Sequence, residues 1–423
     1  MKTQISLLYI SCILAFFTAC SKSETIENWA QFRGPNTQGI SQAKDLPVTW
    51  STEENIAWKT DLPGEGWSSP IVWNNHIFLT TATEEGANCH VIALDRKTGK
   101  ILWDNIVFTQ KPNQHRHGMN SYATSTPVTD GKTVFAVFSG GGFAALDFNG
   151  NIKWINTDLD FYSHHAMGAS PILYNDLLIF PFDHSNNEEP KSLGWQTPWD
   201  KGFLLALDKN TGKERWRSMR GMSCLAHATP AIMNIAGKDQ IISPAGDVIQ
   251  GFDPTTGKLI WTVDSKGEPC VPSPAIGDGL VYSAPTGAAP IRAVRPDAQG
   301  NAEIVWEQSG YTPMMASFLY LKPVLYSFPD NRICALDAET GELLWQTRLG
   351  IGQVNPSPIY ADGKIYVLSE RGTTAVLKPS EDPTVAAEIL ATNDLDELSR
   401  ASIAIAGNQL LIRTESGLWC IGK

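Results

Sequence analysis

The chain has 423 residues, of which 42% are hydrophobic and only 18% charged, with 35 Gly, 26 Pro and 14 Trp. So much apolar residue argues against disorder, and few charges with many Gly and Pro argue against coiled coils and long solvated helices. The net charge of −11 repels a phosphate backbone, so nucleic acid is not an expected partner.

The chain opens on an address. Lys2 precedes an apolar run from Ile5 to Phe17, followed by Thr18, Ala19 and Cys20. A basic start, a short apolar run and small residues before a cut make a secretory signal. Phe17-Thr18-Ala19-Cys20 resembles a bacterial lipobox, in which the cysteine becomes the acylated first residue. The expectation is a signal over 1–19, a lipidated tether and N-terminal arm over 20–54, and one domain over 55–423. That places the protein in the cell envelope, held to a membrane through lipid on Cys20, on the periplasmic side or at the outer membrane.

The rest repeats. Ala93-Leu-Asp95 leads to Gly99 and Trp103, and the phrase returns at Ala206 to Trp216, Gly251 to Trp261 and Ala335 to Trp345. A shortened copy runs Ala145 to Trp154, and a stretched one Ala293 to Trp306. Self-similarity near 45 residues means stacked units. Upstream of each copy an apolar strand begins at a hydroxyl: Ser69, Thr126, Ser170, Thr229, Ser273, Ser317, Ser357 and Ser402, six of them followed by Pro. Pro lacks an N–H and belongs at a strand start or on an edge. A second strand, the Ala-Leu-Asp strand and the Trp strand complete four short strands per unit, which is a propeller blade. The fold class is therefore all-β, an eight-bladed β-propeller of four-stranded antiparallel blades.

The unit opening at Ser402 has only three strands before the chain ends. Its outer strand is expected from Asn55 to Lys59, around Trp58, which closes the ring and removes an open edge. Trp58, Trp103, Trp154, Trp216, Trp261, Trp306 and Trp345 are expected to dock between neighbouring blades, and the eighth position is a degenerate strand at Glu388–Leu390.

The Ala, Gly and Trp spacing resembles the tryptophan-docking motif of pyrrolo-quinoline quinone (PQQ) repeat propellers. That family includes eight-bladed quinoprotein alcohol dehydrogenases and the propeller lipoprotein of the outer-membrane β-barrel assembly machinery. Trp29-Ala-Gln-Phe-Arg-Gly-Pro35, Leu62-Pro-Gly64 and Trp67-Ser-Ser-Pro70 resemble a large subgroup of envelope proteins described as PQQ-binding-like. The resemblance implies the fold over residues 29–423, and quinone chemistry for only some members. The dehydrogenases carry two adjacent cysteines, which this chain lacks, and a calcium site with no recognisable counterpart here. The arginines available to a tricarboxylate are Arg116, Arg292, Arg295 and Arg400.

A ligand is expected in the funnel formed by the loops before each inner strand and those between the second and third strands. Of the eight His, five fall in three consecutive funnel loops: 115, 117, 164, 165 and 227. Candidate contacts are His117, Asn120, Tyr122, His164, His165 and His227, with Asp183 and Asp247 as rim carboxylates. An insertion at 185–201 carries Trp195 and Trp199, either as an aromatic platform over the funnel or as cover for a blade. Cys224 and Cys270 precede adjacent inner strands and are close enough in order to pair, whereas Cys334 and Cys420 read as buried small residues.

With no recognisable nucleophile–base set, the leading expectation is a non-enzymatic, monomeric scaffold. It would bind a protein segment, peptide or glycan at the funnel, and no cofactor is expected. The alternatives are a PQQ oxidoreductase using calcium and a metal-dependent enzyme built on His117, His164, His165 and His227.

Overall fold

A computed structural model describes residues 28–111, 116–190, 192–265, 269–287 and 289–422. The signal segment, Cys20 and His115 lie outside the described residues. Eight four-stranded antiparallel sheets follow one another along the chain. Blade 1 is Ile71–Trp73, His76–Thr83, Asn88–Asp95 and Ile101–Thr109, and the same order recurs through blade 7, which ends in Glu388–Asn393. Inner strands are short and buried, and outer strands alternate exposed and half-buried residues, as Ile101–Thr109 shows. That is the pattern of a sheet whose last strand is an edge.

Blade 8 contains Ala404–Ala406, Gln409–Arg413 and Gly417–Ile421, and its fourth strand is Ile56–Asp61. Lys59 stands opposite Trp419 and Asp61 opposite Gly417 in antiparallel register. The ring is thus closed by the N-terminal strand that the sequence pattern required.

The Trp residues tie outer strands to the next blade. Trp58 Nε1 donates to the Arg96 carbonyl at 3.1 Å, Trp103 to Phe148 at 2.9 Å and Trp154 to Lys209 at 2.9 Å. Trp306 donates to Ala338 and Trp345 to Pro383, both at 3.1 Å. Each acceptor lies in the turn after the third strand of the following blade. Gly212 has φ +69 and would put a Cβ 2.5 Å from the Trp154 ring, so the turn glycine serves both its own backbone and the indole above it. Trp216 lies over Gly257 in the same way, but its Nε1 has no partner. Trp261 departs from the pattern. Its Nε1 donates to Gln240 Oε1 of its own blade at 2.7 Å. The cause is Gly251, which replaces the Ala of the other copies; a Cβ there would sit 2.2 Å from the indole, so only glycine lets the ring fold back.

A second seam runs around the axis. The N–H of Ser69 donates to Thr126 Oγ1, Thr126 to Ser170, Ser170 to Thr229, Thr229 to Ser273, and Ser273 to Ser317. Ser317 donates to Ser357, Ser357 to Ser402, and Ser402 back to Ser69, all within 2.9–3.1 Å. These are the eight openings read from the sequence, and they form a closed ring of backbone-to-hydroxyl bonds. All eight residues are at most 5% exposed, so each bond satisfies a buried donor. The proline that follows six of them leaves no further N–H in the wall.

The arm at 28–54 is folded onto the ring. Trp29 exchanges backbone bonds with Val72, Ala30 accepts from Thr129, and Gly39 accepts from Tyr360. Gln38 Oε1 accepts from Ile276. Each partner lies three residues past its ring hydroxyl, so the arm crosses the channel beneath the ring. Arg33 is buried and donates to the carbonyls of Phe318 and Gln38, pinning the arm to blade 6. Further along, Leu46 and Trp50 are buried in the core between blades 7 and 8.

Candidate functional site: a two-tiered axial cup

Above the arm the channel is a cavity of about 560 Å³. All eight ring hydroxyls line it, with Phe32 of the arm among the lining residues. In extended chain, residues two apart face the same way. The residues two before each hydroxyl accordingly make a second tier: Trp67, Thr124, Gly168, His227, Val271, Met315, Asn355 and Arg400, all of which line the cavity. The lower tier is chemically uniform, and the upper tier has eight different chemistries. Sequence reasoning did not single out this tier as a set, although an offset of two from each hydroxyl identifies it.

Of the ten funnel candidates, His117, Asn120, His165, Trp195 and His227 line the cavity. The imidazoles cluster: ring centroids are 5.2 Å apart for His117 and His165, 5.0 Å for His164 and His165, and 5.7 Å for His165 and His227. They meet edge to face. Among the described residues, no group of three or more His, Cys, Asp or Glu is placed to hold a metal ion. The Met119 N–H donates to His117 Nδ1 at 3.2 Å, so the His117 ring proton belongs on Nε2. Burial pushes the His227 pKa down to about 4, leaving a neutral ring near pH 7. Its Nδ1 has no partner. Gly168 makes room for that ring, since a Cβ there would stand 2.9 Å from Nδ1.

Asn120 is structural within the cup. Its amide donates to the carbonyls of His165 and Met167 and accepts from Ser121 N–H, joining the loops of blades 2 and 3. Trp195 reaches the cavity, with its ring 5.1 Å from His165. Trp199 instead bridges to Ser223 through its backbone and lies edge-on to His184. The insertion thus supplies one platform ring and one cover ring.

The other candidates lie outside the cavity lining. Asp183 is buried and ion-paired to Arg220, which also donates to the Ser243 carbonyl and hydroxyl in blade 4. It serves as a clamp and not as a rim carboxylate, because the Arg220 guanidinium, which follows the outer strand of the same blade, pairs with it and reaches on to Ser243 of the next blade. Asp247 accepts the Cys224 N–H at 2.7 Å and caps a loop. Tyr122 packs its ring against Gly86 and beneath the Arg116 guanidinium. His164 sits behind His165, and its N–H donates to Ser185 Oγ. The Cys224 thiol donates to the Gln196 carbonyl and that of Cys270 to the Ala284 carbonyl. The neighbouring bridge between Ala226 and Cys270 brings the strands together without pairing the sulfurs.

Among the described residues, Arg400 is the only lysine or arginine in the lining, and no Asp or Glu lines it. Its guanidinium lies 4.4 Å from the Trp67 ring centroid, and Nη1 donates to the Gly118 carbonyl at 3.0 Å. Arg116 pairs with Glu65 and Arg292 with Glu307, while Arg295 is 3.7 Å from Glu303. These three are already engaged. The one cation that the described lining offers, with no described carboxylate, is a poor match for a tricarboxylate quinone with a divalent ion, which takes oxygen ligands.

One further polar chain was not legible in the sequence. Thr83 Oγ1, His90 and Asp104 are linked at 2.9 and 2.8 Å in blade 1. These residues do not line the cavity, and they cross-link successive strands of their blade.

The described geometry agrees with the comparisons. The family model described as outer membrane protein assembly factor BamB matches residues 40–159, 91–217, 200–327 and 291–420 in overlapping stretches. Quinoprotein glucose dehydrogenase A of Acinetobacter calcoaceticus is 26% identical over 79% of this chain and 40% of its own length. Outer membrane protein assembly factor BamB of Yersinia pestis is 21% identical over 42% of this chain and 49% of its own. The matches therefore span less than half of either relative. The crystal structure of BamB from Moraxella catarrhalis superposes with a TM-score of 0.58 at 15% identity, covering 86% of this chain and 97% of that one, which supports the fold. With eight closed blades and a family match over most of its length, the chain belongs to the PQQ-repeat propeller family described as outer membrane protein assembly factor BamB.

Proposed function

We propose that this protein is a non-enzymatic binding scaffold of the cell envelope, anchored by lipid on Cys20, that presents its axial cup to a ligand or to a segment of another protein. The observation that carries this reading is the cup itself: a cavity of about 560 Å³, blind because the arm crosses the channel, with a uniform structural tier below and a chemically varied tier above. The family match supports a protein-binding role in general, since the relative is an assembly factor by description. The lining supports binding over redox catalysis, because it offers a quinone and its cation too few charged partners.

Two experiments test this. Photo-cross-linkers placed at Trp195 and Met314, both of which line the cup, should capture envelope components in cells, whereas one at the exposed outer-strand residue Ile106 should not. Equal capture from all three positions contradicts the cup as the binding site. Replacement of Cys20 by serine should release the protein from membranes; continued membrane association contradicts the anchor.

A further inference from the structure

The chain carries a net charge of −11, yet among the described residues no carboxylate lines the cup. Arg400 enters that cavity with no ion-pair partner among the described residues. Tethered to the Gly118 carbonyl through Nη1 and stacked on Trp67, it is held in place with Nε and Nη2 uncommitted. A guanidinium fork fixed in this way is preorganised for a carboxylate.

Other donors in the cup are also unspent. Every ring hydroxyl accepts one backbone N–H, but only Ser357 donates to a protein acceptor, the Ser317 hydroxyl at 3.0 Å. The remaining seven hydroxyl protons have no protein acceptor among the described residues. His227 Nδ1 likewise has no partner. Around these donors stand Phe32, Trp67, Trp195, Val271, Met314 and Met315, which offer aromatic faces and adaptable thioethers. Charge, donors and apolar walls together define one kind of occupant.

We infer that the cup binds a single carboxylate carried on an apolar body, with Arg400 clamping the carboxylate and Trp67, Trp195 and Phe32 covering the body. This rests on the proposed role of the cup and adds its ligand chemistry. The carboxylate can come from a small aryl or aliphatic acid or from the C-terminus of a peptide, and the test separates the two.

Calorimetric titration of the full chain would compare 3-phenylpropionate with 3-phenylpropanamide, and a short apolar peptide bearing a free C-terminus with its amide. The acid of at least one pair should bind about ten- to a hundredfold tighter than its amide, as expected for a charge-assisted pair. The pair that shows this preference identifies the source. Arg400→Gln should abolish the preference and Arg400→Lys should restore part of it, while melting temperatures without ligand stay within about a degree or two of the parent, since the side chain is partly exposed. Equal binding of acid and amide, or a preference that survives Arg400→Gln, overturns the inference and leaves the cup as a binding site. If no probe binds while cross-linkers at Trp195 and Met314 still capture a partner, the carboxylate assignment fails alone. If no probe binds and no partner is captured, both readings fail.

Discussion

The two tiers of the cup hold polar groups of opposite kinds. In the lower tier each hydroxyl oxygen is committed to a neighbouring backbone N–H, and the bonds close on themselves from Ser402 to Ser69. In the upper tier Arg400 and His227 retain hydrogen-bonding atoms that no described protein group uses. The tiers are only two residues apart along every blade, yet the hydroxyl tier is buried throughout and the tier above it is half-buried throughout. They differ also in how far the protein itself supplies the partner: every lower-tier oxygen accepts a protein N–H and only its proton can be left to a ligand, whereas Arg400 and His227 keep nitrogen atoms free of any described protein partner. Committed groups hold the fold, and uncommitted groups are where a ligand gains energy.

Changes on the committed side should damage stability and spare binding. The largest effect is expected at Arg220. Arg220→Met leaves Asp183 buried without its cation and should cost about 3–5 kcal/mol, read as a shift of the urea midpoint; a loss below 1 kcal/mol (an order-of-magnitude bound) would show that Asp183 is not held by that pair. Ser317→Ala removes the acceptor of the buried Ser273 N–H and should cost about 1–3 kcal/mol. An upper-tier change should do both: Gly168→Ala drives a methyl into the His227 ring and should cost roughly 1–3 kcal/mol as overpacking, with ligand affinity falling because the ring lines the cup. Among the docking tryptophans, Trp154→Phe loses a bond to Lys209 worth about 0.5–1.5 kcal/mol, whereas Trp216→Phe forfeits no hydrogen bond and should cost less.

Acidity gives a related test. Burial lowers the pKa values of His184 and His227 from 6.5 to about 4. The unfolded chain therefore binds more protons in this range, so stability is full above pH 6.5 and is lost as pH falls toward 4. His184→Gln or His227→Gln should flatten that decline in a series of urea melts.

Much of the wheel was legible in the sequence because repetition is a covalent pattern. The hydroxyl openings, the Asp-to-Gly turns and the missing outer strand of blade 8 each recur or fail to recur at fixed offsets. Local substitutions broke the pattern where the physics changed: Gly251 for Ala turned Trp261 back onto its own blade. The candidate site was less legible. Asp183 looked like a rim carboxylate because its partner Arg220 lies 37 residues on, after the outer strand of the same blade, where no repeat spacing marks it. Of the clustered histidines, 117, 165 and 227 line the cavity, and their ring orientations depend on packing that spacing does not encode. The arm's course across the channel, with Phe32 beneath the hydroxyls, is a long-range contact with no periodicity to announce it. Trp67, Met315 and Asn355 were hidden for a different reason. They differ from one another, and a repeat search rewards sameness.

The central claim is that committed and uncommitted groups divide structure from function within one cavity. Its most direct test is a crossed comparison of Ser317→Ala and Arg400→Gln, each assayed for melting temperature and for preference between 3-phenylpropionate and its amide. The account predicts that Ser317→Ala melts lower and keeps the preference, while Arg400→Gln melts like the parent and loses it. If stability and preference fall together in both variants, the two tiers are one structure and the division does not exist.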